Sequence, residues 1–278
     1  MQLGIRIHDG EKLPLEELLP ILRKRGFVCG HIALSKSVSQ YSTAVSALTP
    51  GYAMYLRRLF AENSMDAAVL GCYLNLATPD EAELAAITEK YKAHIRFAAH
   101  FGCGVVGTET GAPNREYKYE PACYSEEALE IFIRNLRPVV EYAEKMGVIF
   151  AIEPVWKHIV YSPERARIVL DEINSPNLQI IFDPVNLLGM ENYEDRADIF
   201  RRAITLLGKD IAVVHIKDFV PTESGLVSVA AGQGLMDYTE IMSFIKKEKP
   251  FIHVTLENTT PENSEESARL IRSVWQSV

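Results

Sequence analysis

The stretch VIFAIEPVWKHIVYSPERARIVLDEINSPNLQIIFDP, residues 148–184, decides the fold. It opens on one apolar run, VIFAIE, and closes on another, LQIIFD, and each run ends in a carboxylate, Glu153 and Asp183. Between them Ser162-Pro163-Glu164 places a serine cap, a first-turn proline and an acidic residue in order, and a helical repeat runs on to Ile173. Near-continuous apolar runs without in/out alternation are what parallel strands covered on both faces look like. The stretch therefore predicts strand, helix, strand, with a polar side chain at the C-terminal end of each strand.

The same rhythm extends in both directions. Strand candidates are LGIRI from Leu3, CGHIAL from Cys29, AAVLGCYLNL from Ala67, CGVVGT from Cys103, IAVVHIK from Ile211 and FIHVTLE from Phe251. Helical periodicity fills the gaps at Leu13–Arg25, Tyr52–Asn63, Pro79–Ala99, Glu126–Lys145, Pro163–Ile173, Tyr193–Leu207, Tyr238–Lys247 and Glu262–Val274. Thr78-Pro79-Asp80-Glu81 and Thr260-Pro261-Glu262 predict helix starts capped by the threonines, and Gly147 a helix end. Eight alternations in 278 residues predict one domain, 1–278, an α/β (β/α)8 TIM barrel, since that fold takes roughly 250 residues. The loops 35–51 and 109–124, rich in Ser, Gly, Pro and Tyr, are expected to shape a pocket on the catalytic face.

In such barrels the site lies at the C-terminal ends of the strands. Strands five to eight end in Glu153, Asp183, His215 and Glu257. A single carboxylate there is as often a helix cap or a salt-bridge partner. Three carboxylates converging without a cation would force protons onto one another, whereas a divalent ion neutralises them. One nitrogen and three oxygens suit Mn²⁺ first, with Mg²⁺, Co²⁺ or Zn²⁺ also compatible.

These motifs, AIEP, IFDPVN, VVHIKD and TLEN, resemble in order the Glu, Asp, His, Glu ligands of the xylose isomerase-like TIM barrel superfamily of sugar and sugar phosphate isomerases and epimerases. Gly232, Gly234, Asp237 and Tyr238 resemble its G-x-G-x-x-D segment before the last strand; read alone, Gly232-Gln233-Gly234 is a turn. The match covers residues 148–258 well and the first half only through the barrel rhythm. The resemblance implies that Glu153 and Glu257 flank a substrate carbon as an acid/base pair, passing a proton through an enediolate, on one divalent ion. Its ketose epimerases touch substrate with a histidine where this chain has Asn186, and have an acidic residue at Ile159 and an arginine at Pro221, so their sugar specificity does not carry over.

Further substrate-binding candidates each have a plainer reading. Lys217, two residues beyond His215 on the same face of its strand, is suited to a hydroxyl, carboxylate or phosphate. Asn186 inherits the histidine's place. His158 after strand five would bond a hydroxyl or sit in an exposed loop; Glu109, closing strand four, would face the pocket or make a loop ion pair. Trp156 would stack on a sugar or simply pack. Arg6 and His8 read as interior polar groups, His31 and His253 as core histidines, and Cys29, Cys72, Cys103 and Cys123 as reduced core thiols, with Cys72 nearest a pocket.

The net charge of −8 disfavours nucleic acid as a partner. The opening MQLGIRIHDG is no leader and no apolar run reaches the roughly 20 residues a bilayer needs, so a cytoplasmic protein without membrane contact is expected. The expected partner is a small-molecule carbohydrate, with a homo-oligomer expected from the resemblance. An inosose-type dehydratase is the alternative on the same ion. An abasic-site endonuclease is disfavoured, since this chain has Asn186 in place of that family's strand-six histidine, no histidine near the end of strand three and no D-x-H after His215. A sugar-binding protein without catalysis would have lost one of the two glutamates.

Overall fold

The computed structural model describes residues 1–278. Eight parallel strands close a barrel: β1 (Gln2–Arg6), β2 (Cys29–Ile32), β3 (Asp66–Gly71), β4 (Val105–Glu109), β5 (Ile149–Glu153), β6 (Leu178–Phe182), β7 (Ile211–Ile216) and, after a hairpin of β8 (Asp218–Thr222) and β9 (Gly225–Val229), β10 (His253–Leu256). Around the ring the order is β1-β10-β7-β6-β5-β4-β3-β2, so β1 and β10 seal it, with Gln2 opposite His253 and Ile5 opposite Leu256. The barrel is the one predicted.

The helices are α1 (Leu15–Lys24), α2 (Leu34–Ser37), α3 (Pro50–Glu62), α4 (Glu81–Phe101), α5 (Glu126–Met146), α6 (Pro163–Ile173), α7 (Arg196–Leu207), α8 (Thr239–Glu248) and α9 (Ser264–Ser277). None is long and apolar enough to cross a membrane. Their apolar stripes and the outward faces of the strands form one core, which holds Phe27, Phe132, Phe150 and Ile245 at 0% exposure. A second, small core of Cys29, Ala68, Val69, Ala151, Ile181 and Val213 fills the barrel itself. The lumen is tight. A Cβ at Gly107 would lie 2.5 Å from Ile181 Cδ1, and one at Gly4 2.2 Å from the Cys29 carbonyl.

Local signals hold where one residue dominates. Ser162 Oγ accepts the Arg165 N–H at 3.3 Å, and Gly147 ends α5 at φ 66°. Two predicted caps move. Asp80, not Thr78, caps α4 by accepting the Glu83 N–H at 2.9 Å, while the Thr78 hydroxyl donates to the Glu83 carboxylate at 2.7 Å. The charged acceptor lies closer to the helix start. The last helix begins at Ser264, after Asn263, rather than behind Thr260. Strand three stops at Gly71 instead of running to Leu76, because Leu74 turns away to exchange hydrogen bonds with the Tyr91 hydroxyl.

The hairpin was not predicted. Its anchor is Asp218, 1% exposed, whose carboxylate accepts from the N–H groups of Phe219 (2.8 Å), Gly232 (3.0 Å) and Met236 (2.9 Å). The GQG segment wraps that carboxylate. A Cβ at Gly234 would meet the Phe219 carbonyl at 2.1 Å, so the glycine is there for close approach. All four cysteines are free and buried, and burial pushes the Cys72 and Cys103 thiols up to about 12.

Candidate metal centre

Parallel pairing puts the C-terminal ends of β5, β6, β7 and β10 on one rim. Glu153 is the last residue of β5, Asp183 follows β6, His215 is next to last in β7 and Glu257 follows β10. All four are buried, none more than 5% exposed. His215 Nδ1 lies 3.3 Å from Oε1 of Glu153 and 3.3 Å from Oε1 of Glu257, so the two glutamates converge on one ring nitrogen. Glu153, Asp183 and His215 each offer a ligand atom within 4.8 Å of one another, and His31, His215 and Glu257 do the same.

The charges here are not balanced by hydrogen bonds alone. Asp183 spends Oδ1 on the N–H groups of Val185 (2.9 Å) and Asn186 (3.2 Å). Its Oδ2 is met by the Lys217 ammonium at 2.8 Å, whereas the Nε2 of His215 is buried with no partner at all. Such an orphaned ring nitrogen costs about 1–3 kcal/mol if nothing meets it. An imidazole and three carboxylates with that free nitrogen fit a divalent cation.

The electrostatics lean the same way. Burial opposes protonation of His215, but Glu257 and Glu153 outweigh it and hold its pKa up to about 9. Burial would raise Glu257, yet His215, His31, Lys217 and Arg6 hold it well below the usual carboxylate range. Asp183 goes up, because burial exceeds the help of Lys217. The cluster draws positive charge to itself.

A cleft of roughly 220 Å³ opens on these residues, lined by Glu153, Glu257, Asn186, Lys217 and Glu109 among the predicted set, together with Arg6, His8, Lys36 and Tyr73. Lys217 Nζ lies 2.8 Å from Asp183 Oδ2 and 3.6 Å from Glu257 Oε2, and donates to Asn186 Oδ1 at 2.7 Å. Asn186 Nδ2 in turn donates to Glu153 Oε1 at 2.8 Å. The amide thus couples the lysine to one glutamate. Glu109 accepts from the Tyr117 hydroxyl at 3.3 Å, and burial raises its pKa.

Two predicted residues stand apart from the cleft lining. His158 lies behind Glu109, 3.8 Å from its carboxylate, with its ring 5.4 Å from Tyr117. Trp156 sits on the outer rim, where its indole N–H donates to Glu191 at 3.3 Å and its ring packs edge-on against Tyr161. Conversely, His31 is not a plain core histidine. Its ring stacks on His215 at 5.0 Å, Nδ1 lies 3.6 Å from Glu257 Oε1, and Nε2 meets the Tyr73 hydroxyl at 2.9 Å. Arg6 Nη1 donates to Glu257 Oε2 at 3.1 Å. Strand periodicity was the available signal: Cys29 points into the lumen, so His31 does too.

Comparison with known proteins agrees with this architecture. Residues 36–274 match the family model described as xylose isomerase-like TIM barrel, and the chain belongs to that family. No curated protein sequence matches it significantly. Among solved structures it is similar to a D-tagatose 3-epimerase-like protein, with TM-score 0.77, 20% identity and coverage of 100% of this chain and 98% of that one. It is also similar to the probable 3-DHS dehydratase involved in petrobactin synthesis from Bacillus anthracis (TM-score 0.75, 14% identity, 99% of each chain). A third is the IOLI protein with a binding zinc atom (TM-score 0.74, 19% identity, 100% of this chain and 99% of that one). At these identities the likeness speaks for the fold.

Proposed function

We propose that this protein is a divalent-metal-dependent isomerase or epimerase of a small sugar, with Glu153 and Glu257 as its acid/base pair. The observation that carries the reading is the convergence of the two glutamates, from different strands, on His215 Nδ1, with both lining the cleft. Glu153, Asp183, His215 and Glu257 would hold the ion, Mn²⁺ in the first instance, which when bound polarises a substrate carbonyl and lowers the cost of removing the proton beside it.

The chain's own residues then divide the work. Glu257, held ionised by its cationic neighbours, is suited to take the proton α to the carbonyl. Glu153, hydrogen-bonded to Asn186, would return a proton to the opposite face of the enediolate or to the adjacent carbon. Lys217 and Asn186 would fix the hydroxyls on either side. Arg6 and His31 position Glu257 from behind. A small carbohydrate follows from the lining of the cleft, nearly all of it polar or charged, with Tyr73 its one aromatic wall.

A second reading, a dehydratase on the same centre, is favoured by one feature: the Lys217 ammonium, 3.6 Å from Glu257, is placed to hydrogen-bond a departing hydroxyl. Elemental analysis and heavy-water exchange separate the outcomes. One ion per chain, lost in a Glu153→Gln/Glu257→Gln variant, with deuterium entering recovered sugar, supports the isomerase. Loss of water from the sugar points to the dehydratase. Absence of a specific ion would refute both.

A further inference from the structure

Next to the cleft lies a second, smaller cavity of roughly 130 Å³, and Lys36 and Tyr73 line both, so the two share a wall. Its polar lining is Ser35, Lys36, Thr43, Tyr73, Lys90 and His94, with no carboxylate among the residues that form it. In a chain of net charge −8 this is an unusual concentration of one sign. Neither lysine ammonium has a carboxylate partner; Lys36 Nζ rests 5.6 Å above the Tyr73 ring. His94 is 5% exposed and bonds the Lys90 carbonyl through Nδ1 at 2.8 Å, while its Nε2 has no partner in the protein.

In the cleft itself the cations Arg6 and Lys217 are already paired with carboxylates, and Glu109, Glu153 and Glu257 face the same space. A substrate anion placed there would compete with those carboxylates for them. One step away, past Tyr73, it would meet two unpaired ammonium groups, two hydroxyls and a buried imidazole. The volume suits one phosphate or carboxylate group. With Nδ1 donating to the Lys90 carbonyl, Nε2 of the neutral ring accepts the proton of a monobasic phosphate; once protonated it donates to any oxyanion.

We propose that the substrate is an anionic sugar whose terminal oxyanion docks between Lys36, Lys90 and His94, while its reacting carbons lie between Glu153 and Glu257. The inference rests on the sugar-isomerase reading for the second half of that statement, and the oxyanion cavity stands on its own. Neither ammonium makes an ion pair within the protein, and methionine keeps the length of each stem, so the double replacement is expected to fold.

The test is titration of the full chain with inorganic phosphate, followed by calorimetry and ³¹P NMR, in chelator so that no metal competes. Wild type and Glu153→Gln are expected to bind phosphate alike, and Lys36→Met/Lys90→Met to bind it about tenfold more weakly or worse, since charge-assisted hydrogen bonds are lost. Displacement by acetate at similar concentration assigns a sugar acid, and resistance to it a sugar phosphate; both uphold the proposal. Absence of saturable binding to wild type, or equal binding to the lysine variant, overturns it. Deuterium exchange on the metal-loaded protein isolates the other half. Exchange into no sugar, with phosphate binding intact, removes the isomerase reading and leaves the cavity. Exchange into neutral ketoses, undiminished in the lysine variant and with no preference for acidic or phosphorylated ones, overturns the substrate class.

Discussion

Lys217 is the residue on which the candidate centre turns. Its ammonium is 5% exposed and sits against Asp183, Glu257 and Asn186. Burying a charge is costly, and burial works against this one, but Asp183, Glu257 and Glu153 hold its pKa above the ordinary lysine value. Replacing it with methionine keeps the stem and removes the charge, leaving Asp183 and Glu257 to repel each other. We expect Lys217→Met to lose on the order of 3 kcal/mol of stability in chelator, the cost of breaking a buried pair from one side. Added Mn²⁺ should stabilise the variant more than it stabilises wild type, because a cation then restores the missing charge. Urea unfolding with and without Mn²⁺ measures both; an ion that stabilises neither protein would remove the metal from the proposal. His31 gives a second prediction at this scale. Since it touches Glu257 and not the open cleft, His31→Gln should lower turnover several-fold with little change in KM. A change confined to KM would mean that His31 meets substrate.

The elements show what a single sequence displays and what it hides. The eight barrel strands were legible because each is an apolar run buried on both faces, a pattern set by composition alone. Glu153, Asp183, His215 and Glu257 were legible as a rim because strand ends are legible. The β8–β9 hairpin was not: Pro221 and the half-exposed residues around it read as loop, and its order comes from the distant Gly232 and Met236 amides closing on Asp218. His31 was hidden for a related reason, since CGHIAL looks like any core strand until β1, β2 and β10 meet across the closed barrel. Trp156 failed to reach the cleft because its indole N–H pairs with Glu191 across the β6–α7 loop. Two substitutions test this level. Asp218→Ala strands three backbone donors and should cost about 3 kcal/mol or more, with loss of the hairpin's amide-exchange protection. Gly107→Ala should cost about 1–3 kcal/mol by overpacking the lumen, and Ile181→Val beside it should recover part of that loss. Additive effects would mean that the two side chains do not compete for the same space.

At the scale of the whole molecule, buried neutral histidines set the acid limit of the fold. Burial holds His158 down to about 4, although Glu153 pulls the other way, and holds His94 below the ordinary histidine value despite its bond to the Lys90 carbonyl. The Glu109 carboxylate 3.8 Å from His158 does not rescue it, since burial has also raised Glu109 toward its neutral form. The sign follows from proton counting. At the His158 position, between about 4 and about 6.5, the unfolded chain binds a proton and the folded chain does not, and His94 acts in the same sense, so the contribution of these two histidines is full above about 6.5 and is lost as pH falls. For His158 that window corresponds to a loss on the order of 3 kcal/mol, while Glu109 acts in the opposite sense and blunts it. Wild type should therefore weaken markedly between about pH 7 and about pH 5, before most exposed carboxylates begin to titrate. A His94→Gln/His158→Gln variant should show a shallower slope over the same interval. Urea unfolding in chelator is the measurement, because protons released by metal ligands would otherwise add to the slope. Parallel slopes for the two proteins would place the acid sensitivity elsewhere, in His8, His31 and the carboxylates around Lys217, and the barrel's pH limit would then belong to the cleft and its candidate metal centre rather than to the histidines outside them.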